Sequence, residues 1–326
     1  MLLFSDTALL VLFALVLDAL IGDPPWLWRH VPHPVVLFGK IIEIADQDFN
    51  TPDAPEGRRK LYGTIFLIAL VACALLTGTL LEVIFRGLPF GEIGIVVVGA
   101  IFIAQRSLYD HVAAVRDGLS QGGLAGGRKA VAMIVGRDPE QLDEAGVARA
   151  AIESCAENHA DGVVAPTLWF LLLGLPGLLA YKAVNTADSM IGHKTERHRA
   201  FGWASARFDD LVNLPAARLS GLLLALSGPL FGKRIGESLQ IMRRDAPNHR
   251  SPNAGWPEAA MAAVLGLALA GPRVYPGYSV DDPFMNADGR RGATAGDIAR
   301  ALKAMVFACA LQTGIVALIA IVSIPF

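Results

Sequence analysis

The sequence contains few charged residues and few cysteines, and both shortages exclude some classes of protein. Charged residues make up 18% of its 326 positions, against about 25% in ordinary soluble domains. Cys73, Cys155 and Cys309 lie far apart in the chain, so they provide neither a disulfide framework nor a zinc-binding spacing. Basic residues are not in excess either. The net charge of −2 argues against a nucleic-acid partner, because it implies no strongly basic surface.

Apolar residues are abundant instead, and they form long runs. The chain is 53% hydrophobic with a mean hydropathy of +0.47, which predicts an integral membrane protein. Residues 2–21 and 61–85 are each long enough for one bilayer crossing of about 20 residues. The first run has no basic region ahead of it and no small-residue cleavage signature. We therefore interpret it as a retained anchor and not as a signal peptide.

Other apolar runs are short or interrupted. Residues 91–104 are predicted to follow the span at 61–85 as a tight hairpin. Residues 163–180 contain Gly174, Pro176 and Gly177, and a full crossing there would place the polar segments on its two sides in different compartments. We therefore predict a re-entrant or bent hairpin, which is tolerated where protein buries its backbone. The predicted fold is all-α: a polytopic integral membrane protein with re-entrant or short membrane-buried helices, forming one domain over residues 1–326.

Local signals predict several boundaries. A polar linker is expected over residues 51–60, and a short amphipathic helix over 35–49. Asp138 followed by Pro139 predicts the start of a helix that ends near residues 159–162. Residues 118–127 are rich in glycine but do not match GxxxxGK[ST], so we predict a flexible connection. Residues 281–292 are expected to be a surface loop, and Thr294 with Asp297 predicts a capping box before a last helix that reaches Phe326.

A dense run of polar residues of both signs lies between the apolar segments, within residues 105–162 and 182–218. Such side chains are costly beside hydrocarbon, so the run predicts a functional site; a structural network of salt bridges is the alternative. The candidate site residues are Glu153, Glu157, Asp161, Lys182, Asn185, Asp188, Lys194, Arg197, Arg207, Asp209, Asp210 and Arg218.

Carboxylates within this set suggest a bound cation. Glu153 and Glu157 are one helical turn apart, and Asp161 continues the line. Neighbouring carboxylates repel each other, and hard oxygen ligands of this kind suit Mg²⁺ held together with substrate phosphates. We predict Glu153, Glu157, Asp161 and Asp188 as metal ligands. An acidic stripe facing water is the alternative.

Cations and amides in the same run suit phosphate chemistry. Lysine and arginine side chains at positions 194, 197 and 199 offer donors to phosphate, and arginine can bind two oxygens at once. Asn185 and Asp188 are three residues apart, and an aspartate at 209 or 210 precedes Asn213 by about one turn, so each pair presents oxygens to a common point. Carboxylates mixed with cations are typical of Mg²⁺-phosphate chemistry.

Motifs spread along the chain carry a resemblance to a known family. They are Gly22-Asp23-Pro24, Pro32-His33-Pro34, Val135-Gly136-Arg137-Asp138, Glu153-Ser154-Cys155-Ala156-Glu157-Asn158, Asp161-Gly162-Val163-Val164-Ala165-Pro166, Tyr181-Lys182-Ala183-Val184-Asn185-Thr186-Ala187-Asp188-Ser189-Met190, Phe201-Gly202, Ala206-Arg207-Phe208-Asp209-Asp210, Pro215-Ala216-Ala217-Arg218 and Ser251-Pro252-Asn253-Ala254-Gly255. With these motifs the chain resembles the CobD/CbiB family of cobalamin biosynthesis over nearly its whole length. His193 and His198 stand where we expect tyrosines, so they are weak candidates for essential chemistry.

The resemblance implies an adenosylcobinamide-phosphate synthase. Such an ATP-dependent acid-amine ligase joins a propionate carboxylate of adenosylcobyric acid to the amine of aminopropanol phosphate, with Mg²⁺ and ATP. Under this resemblance the carboxylate is activated as an acyl phosphate before the amine attacks. The residues expected to hold Mg²⁺-ATP or to act as base are Glu153, Glu157, Asp188, Asp209 and Asp210. Those expected to bind phosphate and substrate are Lys182, Asn185, Lys194, Arg197, Arg207 and Arg218.

The implied partners are the corrinoid substrate, aminopropanol phosphate, membrane lipid and other cobalamin-assembly enzymes. Loops rich in lysine and arginine favour the cytoplasmic side, so we expect a multi-pass inner-membrane protein with its site facing the cytoplasm. Two alternatives stay open. One is a Mg²⁺-dependent intramembrane transferase acting on a lipid diphosphate, and the other is a non-catalytic membrane sensor or assembly protein. A transporter is disfavoured, because the polar groups do not follow matched broken helices.

Overall fold

The computed structural model describes residues 5–136, 138–275 and 278–323. It is 78% helical with almost no sheet, which confirms the all-α class. The helices are α1 Ser5–Ile21, α2 Pro25–Trp28, α3 Pro34–Phe49, α4 Glu56–Arg86, α5 Glu92–Phe102, α6 Gln105–Val131, α7 Glu144–His159, α8 Ala165–Ile191, α9 His198–Phe201, α10 Trp203–Ala225, α11 Ile235–Asp245, α12 Gly255–Leu265 and α13 Ala295–Ser323. Strands β1 Leu269–Tyr275 and β2 Tyr278–Met285 pair in antiparallel fashion.

Four helical stretches are long and apolar enough to cross a membrane. They are Glu56–Arg86, Glu92–Val131, Glu144–Ile191 and Ala295–Ser323, and Thr7–Ile21 is a shorter apolar helix. A polytopic membrane protein is therefore confirmed. Three predicted features fall outside the described residues: the first residues of the run at 2–21, position 137 of one motif, and the end of the last helix at Phe326.

The described chain forms two compact units. The first comprises the described parts of residues 1–104, 165–213 and 316–326, and the second comprises residues 105–164 and 214–315. The core of the first unit contains fully buried Leu15, Ile42, Phe170 and Leu178. The single domain expected over residues 1–326 stays a prediction.

Helix α8 reverses direction in the first unit at Gly174. This glycine has φ 68° and ψ −157°, a conformation that L side chains rarely adopt. A Cβ at Gly177 would lie 2.6 Å from the carbonyl oxygen of Trp169, although residues eight apart in a straight helix are separated by about 12 Å. At the tip, Glu82 of α4 accepts a hydrogen bond from the backbone N–H of Leu175 at 3.2 Å. The bent hairpin predicted for residues 163–180 is confirmed.

Helix α6 makes a similar reversal in the second unit, at Gly123 with φ 57°. A Cβ at Gly118 would lie 2.7 Å from the carbonyl oxygen of Gly126, so the two limbs touch where these glycines face each other. The flexible connection predicted for residues 118–127 is wrong. The glycines allow close packing of two helical limbs around a single non-helical residue.

Other boundaries also differ from the expectation. Asp138 caps only a 3₁₀ turn at Pro139–Gln141, and α7 begins later, where Asp143 accepts a hydrogen bond from Gly146 at 2.7 Å. The helix ends at His159, as predicted, but a π-turn at Ala160–Val164 then leads directly into α8.

Two further segments expected to be irregular are regular in part. Helix α4 begins at Glu56, inside the predicted linker, and β2 covers residues 281–285 of the predicted surface loop. The capping box is confirmed: the Asp297 carboxylate accepts a hydrogen bond from the backbone N–H of Thr294 at 2.9 Å, and Thr294 Oγ1 accepts from Asp297 at 3.4 Å.

Candidate functional site

Five polar side chains form a connected set in the first unit, between the second limb of α8 and the start of α10. The hydroxyl of Tyr181 donates to Asn213 Oδ1 at 3.0 Å, and Asn213 Nδ2 donates to Asp209 Oδ2 at 3.0 Å. Asn185 Nδ2 donates to the other oxygen of Asp209 at 3.4 Å. Asp188 is the acidic neighbour of Asp209. We call these five residues the polar ladder.

The carboxyl group of Asp209 is the electrostatic centre of the ladder. Its residue is 7% exposed. Burial raises the pKa of Asp209 to about 7; the negative charge of Asp188 adds to this rise, and hydrogen bonds from Asn213 and Asn185 offset part of it. A carboxyl group that changes charge near neutral pH is suited to accept and return a proton.

Two glycines let the chain after α8 approach the ladder closely. The backbone N–H of Gly192 donates to the carbonyl oxygen of Asp188 at 2.7 Å, and a Cβ at Gly192 would overlap the Asp188 carboxylate. A Cβ at Gly202 would overlap the carbonyl oxygen of Ile191. Residues 192–202 therefore form a loop that folds back onto the end of α8, which we call the return loop.

Exposed cations flank the ladder. Lys194 of the return loop and Arg207 of α10 both lie near Asp210. Burial raises the pKa of Asp210 above its ordinary value, while the two cations act in the opposite direction. Asp210 and Asp209 are neighbours in sequence but differ in burial, since Asp210 is only partly covered.

Lys182, half-buried on α8, lies near the loop that carries the Pro32-His33-Pro34 motif. His33 Nε2 is 3.6 Å from Asp23 Oδ1, and the ring meets that of Trp28 edge-on at 4.5 Å. Burial lowers the pKa of His33, and the positive charge of Lys182 lowers it further, while Asp23 and the carbonyl of Ile101 oppose the change.

Arg197 has a partner that the sequence did not suggest. Its Nε and Nη2 donate to Asp46 Oδ2 of α3 at 2.9 and 2.6 Å. Asn50 Nδ2 donates to the carbonyl oxygen of Arg197 at 3.0 Å, and Arg59 also donates to that oxygen. Burial alone would raise the pKa of Asp46, but hydrogen bonds from Asn50 and Arg197 lower it overall. Arg197 therefore anchors the return loop to α3.

The three acids predicted on α7 and beyond it lie in the second unit and differ from one another. Glu153 is 2% exposed, and its Oε1 accepts a hydrogen bond from the backbone N–H of Ala270 at 2.8 Å, with Arg149 Nε at 3.9 Å. Glu157 is exposed, and Asp161 is half-buried in the π-turn. Glu153 thus holds the start of β1 against α7.

Arg218 also belongs to the second unit. Its Nη1 donates to Asn253 Oδ1 and to the carbonyl oxygen of Leu214, both at 3.1 Å, and its guanidinium lies 4.7 Å from the centre of the Trp256 ring. Burial lowers the pKa of Arg218. The Pro215–Arg218 and Ser251–Gly255 motifs are therefore linked, although they are separated in sequence.

No three His, Cys, Asp or Glu side chains are grouped as ligands of one metal ion in the part of the chain that the structure describes. The predicted ligands are divided between the units: Asp188 belongs to the first, and Glu153, Glu157 and Asp161 belong to the second. The donor chemistry still fits Mg²⁺ in one respect, because this ion is commonly bound by one or two carboxylates together with substrate phosphates and water.

Comparison with known proteins supports the family resemblance that the motifs carry. The family described as CobD/Cbib protein matches residues 11–305. The chain belongs to the CobD/CbiB family. A cobalamin biosynthesis protein CobD from a Sinorhizobium species is 52% identical over 323 residues, which is 98% of this chain and 100% of the relative. Proteins of the same name from Rhizobium meliloti and Rhodobacter capsulatus are 51% and 45% identical; the matches cover 95% of each chain for the first, and 96% of this chain and 98% of the relative for the second.

No solved structure matches the chain. Membership in the CobD/CbiB family assigns the protein to cobalamin biosynthesis as a biosynthetic enzyme with a corrinoid-type substrate. Four of the five ladder residues, all except Asn213, belong to the motifs that carry the family resemblance, and so do Arg218 and its partner Asn253.

Proposed function

We propose that this CobD/CbiB enzyme forms an amide bond between a propionate carboxylate of adenosylcobyric acid and the amine of aminopropanol phosphate, with hydrolysis of ATP. The product is adenosylcobinamide phosphate. The observation that supports this proposal most is the buried carboxyl of Asp209, held between two amides with a pKa near 7.

Amide formation needs a base at the attacking nitrogen. A primary amine is largely protonated at neutral pH and loses two protons on the way to an amide. Once the propionate has been activated as an acyl phosphate, the nitrogen attacks its carbonyl carbon, the C–N bond forms, and the bond to the phosphate oxygen breaks. The ammonium group releases its first proton to solvent before the attack. Asp209 accepts the second proton from the attacking nitrogen, and inorganic phosphate leaves with the electron pair of the broken bond.

The remaining ladder residues orient this base. Asn185 and Asn213 each donate to one oxygen of Asp209, which fixes the plane of the carboxylate, and Tyr181 fixes the amide of Asn213 in turn. Asp188 keeps the pKa of Asp209 high by its negative charge. A base whose pKa is close to the working pH combines a useful deprotonated fraction with a useful driving force.

Cations near the ladder are placed to bind the anionic groups of the substrates. Lys182 and Lys194 would bind the phosphate or carboxylate groups of the substrates as point charges. Mg²⁺ would enter on the phosphates of ATP and supply neutralisation of charge at the transferring phosphoryl group. We place the site on the cytoplasmic side of the inner membrane, where ATP is available, in line with the basic loops.

The direct test is turnover by the purified protein in detergent. Adenosylcobyric acid, aminopropanol phosphate, Mg²⁺ and ATP are supplied, and the corrinoid product is measured by mass spectrometry. The proposal predicts ATP-dependent formation of adenosylcobinamide phosphate, with loss of one water from the summed substrates. Formation of a prenylated product when a lipid diphosphate is supplied instead, or no corrinoid product from folded protein supplied with both substrates, would contradict it.

A further inference from the structure

An apolar groove lies between α4 and α10 in the first unit, with a volume of about 540 Å³. Six of its lining residues are Leu67, Val71, Leu75, Arg207, Phe208 and Leu211. Leu75 and Leu211 remain 38% and 58% exposed. Helix α4 is one of the candidate membrane spans, so an apolar groove on its side would face hydrocarbon.

One end of the groove is cationic and aromatic. Lys60 Nζ lies 3.6 Å from the centre of the Trp203 ring, and Trp203 lines the groove together with Arg207, which follows it by one helical turn. Asp210 lies near Arg207, but Lys194 also lies near Asp210. Lys60 and Arg207 therefore place two cations at this end of the groove.

The apolar part of the groove along α4, from Leu67 to Leu75, fits within the depth of one lipid leaflet. Leu67 is seven residues after Lys60, and Leu75 is eight residues further, which gives about 10 Å and then about 12 Å along the helix axis. One leaflet contributes about 15 Å to the hydrocarbon core. Tryptophan and lysine are typical of the boundary between headgroups and hydrocarbon, and this boundary would lie near Trp203.

We propose that this groove binds one anionic phospholipid. An acyl chain lies against the apolar residues of α4 and α10, and the phosphate lies between Lys60 and Arg207. Arg207, which the sequence predicts as a phosphate ligand, thus meets the phosphate of a lipid and not that of a nucleotide. An uncharged or zwitterionic lipid would satisfy the apolar part only.

Native mass spectrometry of the whole protein in detergent tests this proposal without any turnover. The protein is titrated with phosphatidylglycerol and, separately, with phosphatidylcholine of the same acyl chains. We expect one tightly retained phosphatidylglycerol and binding about fivefold or more weaker for phosphatidylcholine. A cation near anionic headgroups contributes about 1 kcal/mol, equivalent to about fivefold in affinity.

Two variants with matched controls, and one variant that restores the charge, locate the site. Lys60→Gln should weaken phosphatidylglycerol binding about fivefold, Lys60→Arg should restore it, and Arg58→Gln should leave it unchanged, because Arg58 lies over Tyr62 on the same helix. Ala72→Trp fills the groove that Ala72 lines and should displace the tight lipid. Ala69→Trp, at an exposed position of α4 outside the lining, should not.

Equal retention of the two lipids would overturn the proposal, as would unchanged binding in both Lys60→Gln and Ala72→Trp. Loss of binding in the Arg58→Gln and Ala69→Trp controls to the same extent would also overturn it, because the lipid would then be bound elsewhere. Since retention is measured without substrates, this result is independent of whether the protein forms the amide.

Discussion

The polar ladder and α7 each contain a buried carboxylic acid, but the charges and hydrogen-bond donors around these two acids differ. In the ladder, Asp209 is buried beside another aspartate and, among the described residues, receives hydrogen bonds from neutral amides. On α7, Glu153 is equally buried, but its carboxylate bonds to a backbone N–H and lies near Arg149. Burial of an acid therefore does not mark a reactive group by itself. We interpret the buried acid with an acidic neighbour and neutral hydrogen-bond donors as the candidate reactive group.

The largest effect should follow from Asp209→Asn. The amide keeps the shape of the carboxyl group but cannot accept a proton from the attacking nitrogen. General-base catalysis contributes about 10²- to 10⁴-fold, so kcat for amide formation should fall within this range while the protein stays folded. Product formation by mass spectrometry and gel filtration in detergent measure the two properties. Asp53→Asn, at an exposed position before α4, is the matched control and should retain full activity.

A loss of less than threefold in folded Asp209→Asn protein would remove this residue as the base. The opposite result would reverse the comparison. If kcat fell within the expected range in Glu157→Gln and did not change in Asp209→Asn, the exposed acid on α7 would carry the chemistry.

A smaller effect is expected from releasing the return loop. Arg197→Gln removes the charged hydrogen bonds to Asp46, and such bonds contribute about 1.5–3 kcal/mol. We expect faster proteolytic cleavage within residues 192–202 and about tenfold lower kcat/KM, with Asp46→Asn giving a similar change. Arg199→Gln is the control, because Arg199 reaches exposed Glu56 at 3.5 Å. Cleavage that is as slow in Arg197→Gln as in the control would contradict the anchoring role.

In the second unit, we expect Glu153→Ala to lower the stability of the folded protein. Glu153→Ala leaves the buried N–H of Ala270 without this acceptor, which costs about 1–3 kcal/mol and lowers Tm by about 2–4 °C per kcal/mol in a chain of this size. Glu157→Ala, one turn away and exposed, should change the free energy of unfolding by no more than about 0.5 kcal/mol. Thermal denaturation in detergent measures both. Equal Tm values for the two variants would show that Glu153 does not hold β1.

Much of this fold could be predicted from residue patterns. Hydropathy marks α4, and the capping box of Thr294 with Asp297 marks the start of α13. Gly174 with Pro176 and Gly177 marks the reversal of α8, because glycine tolerates the positive φ that the tip requires. The wrong prediction of a flexible connection over residues 118–127 also comes from glycine. Glycines that permit close packing of helices look like those of a flexible linker when no partner surface is visible in the sequence.

The candidate site could be predicted only as a set of residues. Spacing along one helix indicates that Asn213 meets Asp209 or Asp210, and the structure shows Asp209 as its partner. It does not indicate that Asn185 reaches Asp209 from another helix, or that Arg197 pairs with Asp46, 151 positions earlier. Contacts of this kind depend on tertiary packing, and the burial that raises the pKa of Asp209 depends on it too.

The pH dependence of kcat/KM for amide formation tests the central claim most directly. Asp209 works as a base only when deprotonated, so activity should rise with pH through a midpoint near 7. Asp188→Asn removes a negative neighbour and should move this midpoint to lower pH, whereas Asn213→Ala removes a hydrogen bond to the carboxylate and should move it to higher pH. The same midpoint pH in the wild type and in both variants would contradict the assignment of Asp209 as the base.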